Sequence, residues 1–237
     1  MRQRKVKSES LSIIGRLFII YRVIYMKFNN IEDFIVFLEC NTTVEAIDNC
    51  RNEIVDLIPE VSIIFNYDQQ HSAHVYDLWF HSLHTVNNLP KEKDPILYLA
   101  ALLHDIGKPE CLVRSTDHNM HYPNHAKKSM EIADKIISNL RKQGNDISDN
   151  DEKRLLYYIE YHDCWVNYNE QTILYHLQKG VSFETFQNLM ELEVADAKAH
   201  KLIPVVMKRI DICGKLAGTE GLQLYNIIVN KQNLEIY

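Results

Sequence analysis

Residues that end regular elements are scarce in this chain: seven glycines and six prolines are spread over 237 residues. A sequence so poor in turn-formers runs mostly in helices. The apolar spacing agrees. Ile31, Phe34, Ile35 and Leu38 form one helical face, and Val44, Ile47, Ile54 and Ile58 the next, which Pro59 closes. A polar stretch, Asn66 to Gln70, leads into a helix predicted from Val75 to Asn88, with Leu78, Trp79, Ser82 and Val86 on one face and Pro90 as its stop.

Asp94 and Pro95 read as N-cap and first helical position of a segment from Ile96 to Asp105 that ends at Gly107. Residues 109 to 124 hold Pro109, Asp117, Asn119, Pro123 and Asn124 with no sustained period and form the main loop. A long helix is expected from His125 to Arg141, with Met130, Ala133, Ile136, Ile137 and Leu140 inward. Another runs from Asp151 to Asp163 behind a cap at Asp149 or Asn150, with Leu155, Leu156 and Ile159 as its buried stripe. Ser182 caps Phe183 to His200, and Pro204 starts a final helix towards Leu216 or beyond. With no strand signal above these and no internal repeat, the expected fold is an all-α helical bundle in one domain, residues 27–237.

Composition narrows the function. With 46% apolar and 24% charged residues the chain is an ordinary globular one, so global disorder and low-complexity architectures are excluded. A net charge of −6 argues against a broadly basic nucleic-acid-coating surface, although a local patch keeps RNA among the candidate partners. Cys40, Cys50, Cys111, Cys164 and Cys213 are scattered singly with no C-x-x-C pair, which reads as reduced thiols in a cytoplasmic protein.

Residues 1–26 stand apart. Arg2, Arg4, Lys5, Lys7, Arg16 and Arg22 against Glu9 give this segment a charge of +5 and leave −11 for the rest. Arg16 and Arg22 interrupt the apolar stretch from Leu11 to Tyr25, so neither a signal peptide nor a membrane span is expected. The segment reads as an amphipathic surface helix, a disordered arm or an upstream extension preceding a start at Met26.

Eight of the eleven histidines lie between residues 71 and 125. The sharpest motif among them is His104-Asp105, which closes the apolar run Leu97 to Leu103 and is followed by Ile106, Gly107, Lys108 and Pro109. Two adjacent polar side chains at the end of a buried helix cost several kcal/mol if unpaired, and a divalent cation satisfies both.

These residues resemble the HD-domain phosphohydrolases, whose metal site takes a histidine from one helix, a His-Asp doublet from the next and a later aspartate. Here those positions fall on His81, His104, Asp105 and Asp196. The resemblance is closest to the HD region of bacterial CCA-adding tRNA nucleotidyltransferases. It is carried by Gln70, His74, Asp77, Trp79, His81 and Ser82, by A-A-L-L-H-D-I-G-K-P over Ala100 to Pro109, by H-Y-P-N-H over residues 121 to 125 and by Glu193 to Ala197. It spans residues 60–215. The glycine-rich turn and D-x-D motif of the nucleotide-adding domain are missing from the short stretch before residue 60, so the resemblance implies hydrolysis rather than CCA addition.

By the same resemblance His125 and His162 occupy the places where two-metal HD enzymes add further histidines, giving one or two ions. Imidazole with carboxylate suits manganese, iron, nickel, cobalt or zinc better than magnesium. Asp105 has two oxygens with which to bridge two cations, and a two-metal cluster holds hydroxide for in-line attack on phosphorus. Lys108 is the candidate for stabilising the phosphoryl oxygens, with Arg114 and His121 as further substrate contacts under a roof made by the 109–124 loop.

His74 and Asp77 read as supporting or helix-start residues, and His71, His84, His118, His176 and His200 as surface or structural ones. Trp79 and Tyr98 are core candidates. The expected activity is metal-dependent hydrolysis of a phosphate ester: a nucleotide, a 2′,3′-cyclic phosphate or an RNA-terminal phosphate. The rivals are a signalling-nucleotide hydrolase and a non-catalytic RNA-binding or scaffolding module that keeps the metal site for stability.

Overall fold

The computed structural model describes residues 28–40, 43–70, 73–114 and 120–234; the basic segment 1–26, His71 and His118 lie outside them. The architecture is the expected all-α bundle. It comprises α1 (Ile31–Cys40), α2 (Val44–Asp48), α3 (Arg51–Leu57), α4 (Leu78–Asn88), α5 (Pro95–Leu103), α6 (His125–Lys142), α7 (Asp149–Tyr161), α8 (Glu170–Leu177), α9 (Phe183–Lys198), α10 (Pro204–Ala217) and α11 (Thr219–Leu234). One correction concerns strands, since the 109–124 segment contains a two-residue antiparallel ribbon. In it β1 (Val113–Arg114) pairs with β2 (Met120–His121), and Val113 faces His121.

Helix α5 is the axis of the fold. Every residue from Ile96 to Leu103 is buried, as a helix apolar on all sides must be, and it packs against α1, α4, α7 and α9. Its start follows the sequence closely: the Asp94 side chain accepts from the Ile96 amide at 3.2 Å, and Pro95 takes the first turn. Its end comes earlier than expected. The helix stops at Leu103, and His104 to Gly107 form a turn that lifts the His-Asp doublet off the helix end.

The other boundaries shift for local reasons. Helix α4 begins at Leu78 rather than Val75, because Asp77 acts as N-cap and accepts from the Phe80 amide at 2.8 Å. Ser148, not Asp149 or Asn150, caps α7. Its hydroxyl accepts from the Asp151 amide at 3.1 Å, and the acids Asp149, Asp151 and Glu152 then fill a first turn where negative charge meets the positive helix end.

Ser182 caps α9 as expected, by accepting from Thr185. Helix α3 ends just before Pro59 as expected, and Pro59 also opens a short 3₁₀ turn (Pro59–Ile64). Helices α8 and α11 are additional to the predicted set; α8 starts at an Asn169 cap.

One apolar core runs through the bundle and includes Trp79 and Tyr98, both fully buried. Each has its polar atom satisfied: the Trp79 indole donates to Asp48 Oδ1 at 2.7 Å, and the Tyr98 hydroxyl to the Pro90 carbonyl at 2.9 Å. Among the described residues no disulfide forms, and no helix is long and apolar enough to cross a membrane.

Candidate metal centre

Four helices and one turn deliver polar groups to a single point beside α5. Helix α4 brings His81, the turn after α5 brings His104 and Asp105, and the first residue of α6 is His125. His162 follows the last residue of α7, and Asp196 sits in the last turn of α9. All six sequence candidates for metal ligands therefore meet. Five are buried and His125 is nearly so.

The convergence has two halves. In the first, His81 Nε2 lies 3.0 Å from Asp196 Oδ1 and 3.4 Å from Asp105 Oδ2. His104 Nε2 lies 3.2 Å from Asp105 Oδ2 and 3.6 Å from Asp196 Oδ1, and the two Nε2 atoms are 3.3 Å apart. In the second, His125 Nε2 and His162 Nε2 are 3.3 Å apart and lie 3.2 and 3.4 Å from Asp105 Oδ1. Asp105 thus turns one oxygen to each half.

Hydrogen bonds at the far side of the rings decide what the near side offers. His104 Nδ1 faces the Ala101 carbonyl at 2.8 Å, His125 Nδ1 the Tyr122 carbonyl at 2.9 Å, and His162 Nδ1 the Ile159 carbonyl at 2.8 Å. A carbonyl only accepts, so each Nδ1 carries the proton, and in the neutral ring Nε2 presents a lone pair. Those lone pairs meet carboxylate oxygens, which also only accept. Oδ1 of Asp105 and Oδ1 of Asp196 are buried with no hydrogen-bond donor aligned on them.

Acceptors facing acceptors in a dry interior are costly unless cations stand between them. The spacing fits that requirement. Ligands at about 2.0–2.2 Å from one ion stand about 3–3.6 Å from each other, the range of the contacts above. His81, His104 and Asp196, and likewise His104, Asp105 and His162, could each hold an ion.

The electrostatics point the same way. With no ion between them, Asp105 and Asp196 outweigh burial and hold the His104 imidazole up to about 10, so that a proton on Nε2 takes the place a cation would fill. Burial likewise opposes ionisation of Asp105 and Asp196, but Lys108 and His104 around the first, and His200, His104 and His81 around the second, hold both carboxyls well below the usual range. Burial lowers His162, keeping its ring neutral. The cluster is organised around two carboxylates that require positive neighbours.

Gln69, Lys108 and Tyr122 form one wall. Lys108 Nζ lies 2.7 Å from Asp105 Oδ2 and donates to Gln69 Oε1 at 2.9 Å, over the Tyr122 ring. The Tyr122 hydroxyl donates to the Gln69 carbonyl at 2.7 Å. A cavity of about 470 Å³ opens above the cluster, with Lys108, His121, Tyr122, Arg209, His74 and His200 in its lining.

His121 therefore reaches the cavity as expected, and residues 113 and 120–123 supply part of its roof. Arg114 does not reach it. Neighbouring side chains on a strand point to opposite faces, and of these two exposed residues it is Val113 that lines the cavity.

Reading His200 as a surface or structural residue needs correction as well. His200 Nδ1 lies 3.6 Å from Asp196 Oδ1, and its ring meets those of His74 and His81 at centroid distances of 4.5 and 4.8 Å. Its position four residues after Asp196 placed it on the same helical face, a legible signal. His74 is brought in by an isolated bridge to His200, which no local pattern announces. Burial first, then the charge of Lys108, press His74 down to about 2, so its ring is neutral. Of the remaining described histidines, His84 stacks on Tyr76, and His176 is buried against Tyr157.

No protein-family model matches the chain, and no curated protein matches it.

Proposed function

We propose that the protein is an HD-type metal-dependent phosphohydrolase that cleaves a phosphate ester at a two-ion centre. The observation that carries the reading is Asp105. It is a buried carboxylate whose two oxygens face two separate pairs of imidazoles, and in three of those four rings Nδ1 is committed to a main-chain carbonyl. His81, His104, Asp105 and Asp196 would hold the first ion, and Asp105, His125 and His162 the second. Manganese, iron, nickel, cobalt or zinc suits this donor set, and magnesium suits it less.

When bound, two such ions supply an activated water for in-line attack on phosphorus and charge stabilisation for the leaving oxygen. The chain's own residues do the rest. Lys108, held by Gln69 at the cavity wall, is positioned to draw phosphoryl oxygens towards the cluster and to offset the charge they gain in the transition state. Arg209 adds a second cation to the same cavity, and His121 a polar contact at its mouth. Tyr122, Val113 and Met120 give it an apolar flank that accommodates the organic part of an ester. Nucleotides, 2′,3′-cyclic phosphates and RNA-terminal phosphates are the substrate classes of this reading.

The test is turnover of an aryl phosphate, an aryl phosphodiester and a 2′,3′-cyclic nucleotide by purified protein loaded with manganese, nickel or cobalt. Release of product from at least one, abolished in Asp105→Ala, is the expected result. Metal-dependent thermal stability without turnover across the panel overturns the enzymatic reading in favour of a scaffold stabilised by its metal.

A further inference from the structure

Arg209 lies on α10, a helix that contributes no ligand to the cluster, yet its guanidinium makes three attachments around it. Nε donates to Glu193 Oε2 at 3.0 Å, Nη1 to Asp163 Oδ1 at 3.1 Å and Nη2 to the main-chain carbonyl of His162 at 2.6 Å. Glu193 is fully buried on α9, three residues before Asp196. One planar fork therefore joins the end of α7, where His162 sits, to the segment of α9 that carries Asp196.

Two features of the local structure show why this fork matters for position rather than for stability. The C-terminal end of α7 has no basic residue in its last turn, although its terminal carbonyls lack partners within the helix. Arg209 supplies that positive charge from another helix. Its partner Glu193 is an expensive one: burial pushes the carboxyl up although Arg209 opposes it, and the Cys213 thiol is the other donor at the same oxygen, at 3.4 Å. Buried ion pairs contribute little net stability because desolvation offsets the attraction, whereas they fix geometry when several directional bonds leave one group.

The lever is short. The His162 ring is oriented by its bond to the Ile159 carbonyl, so its location follows the main chain of this turn, and the turn is pinned through the carbonyl of His162 itself. We propose that Arg209 is a positioning residue that holds His162, and with it the second half of the cluster, in register with the Asp196 half. The inference rests on the two-ion reading above.

The experiment is calorimetric titration of metal-free full-length protein with manganese, paired with electron paramagnetic resonance of the loaded protein. Wild type, Arg209→Met, Arg209→Lys and His162→Ala are compared, with the melting curve of each metal-free protein as the check on folding. Wild type is expected to take two ions with an exchange-coupled dimanganese signal. Arg209→Met should keep the affinity of the first ion and weaken the second by about tenfold or more, replacing the coupled signal by that of an isolated ion as His162→Ala does. Arg209→Lys, which keeps the charge but not the fork, should fall between them and carries the test if the methionine variant does not fold.

Two tightly bound, coupled ions in Arg209→Met or, where that variant does not fold, in Arg209→Lys overturn the inference and leave the two-ion reading standing. Equal weakening of both ions overturns it as well, since that marks a general structural role. A wild type that binds fewer than two ions overturns the two-ion reading and the inference together.

Discussion

The main-chain amide of Gly107 donates to the Ser129 hydroxyl at 2.9 Å, fastening the turn that carries His104 and Asp105 to the second turn of α6. The approach is so close that a Cβ on Gly107 would lie 2.5 Å from the Ser129 amide nitrogen and 2.9 Å from the His125 carbonyl. Gly107→Ala is therefore expected to destabilise the metal-free protein by about 1–3 kcal/mol, because backbone atoms cannot yield as a flexible side chain does. The displaced segment begins with His125, so manganese titration of the variant should show the second ion weakened more than the first. Urea unfolding and the titration together check both parts.

Removing divalent ions should lower the melting temperature, since the carboxylates of Asp105 and Asp196 lose their counter-charge. Manganese at 100 times its dissociation constant should restore about 2.7 kcal/mol for one site. In Asp105→Asn the melting temperature should no longer respond to manganese, whereas His162→Ala should keep part of the response. Differential scanning calorimetry with and without chelator measures all three.

Lys108 touches Asp105 but belongs to no imidazole pair. Lys108→Gln is expected to keep both ions and to lose about 10²- to 10³-fold in kcat on a phosphate ester, the effect of removing one preorganised charge from a transition state. Metal analysis of the purified variant beside its steady-state kinetics separates this outcome from loss of an ion.

His176 lies away from the cluster, buried, with the Tyr157 hydroxyl 2.9 Å from its Nδ1. Burial first, and then the charge of Lys179, press its pKa down to about 4 from an ordinary 6.5. The unfolded chain binds this proton more readily, so the group's contribution to stability is complete above pH 6.5 and is lost as the pH falls towards 4. The loss should amount to about 1–3 kcal/mol. In His176→Gln that increment should be absent, so urea midpoints of chelated wild type and variant should converge between pH 6.5 and 4.

Much of this could be read from residues alone, and the exceptions have physical reasons. Helix α5 and its cap were legible because Asp94, Pro95 and an unbroken apolar run leave no alternative. His81, the 104/105 doublet, His125, His162 and Asp196 were legible through a resemblance, and the structure brings them together. Helices α8 and α11 were missed, and α11 has little contrast between its faces. The ribbon at Val113 and His121 has two residues per strand, too few for alternation to register.

The side to which Arg114 points, away from the cavity lining, depends on a pairing formed across the loop. His74 and Arg209 reach the cavity through tertiary contacts that local spacing does not encode, whereas His200, one helical turn from Asp196, was available to a closer reading.

The rings of His104, His125 and His162 are each tethered to the carbonyl three residues earlier in their own turn. Aim is thus set within four consecutive residues of each turn, and the packing of the helices sets where the three turns meet. For these three rings aim and location are set separately, the first by a tetrapeptide and the second by the packing that brings the turns together, whereas His81, whose Nδ1 has no such bond, takes both from the bundle.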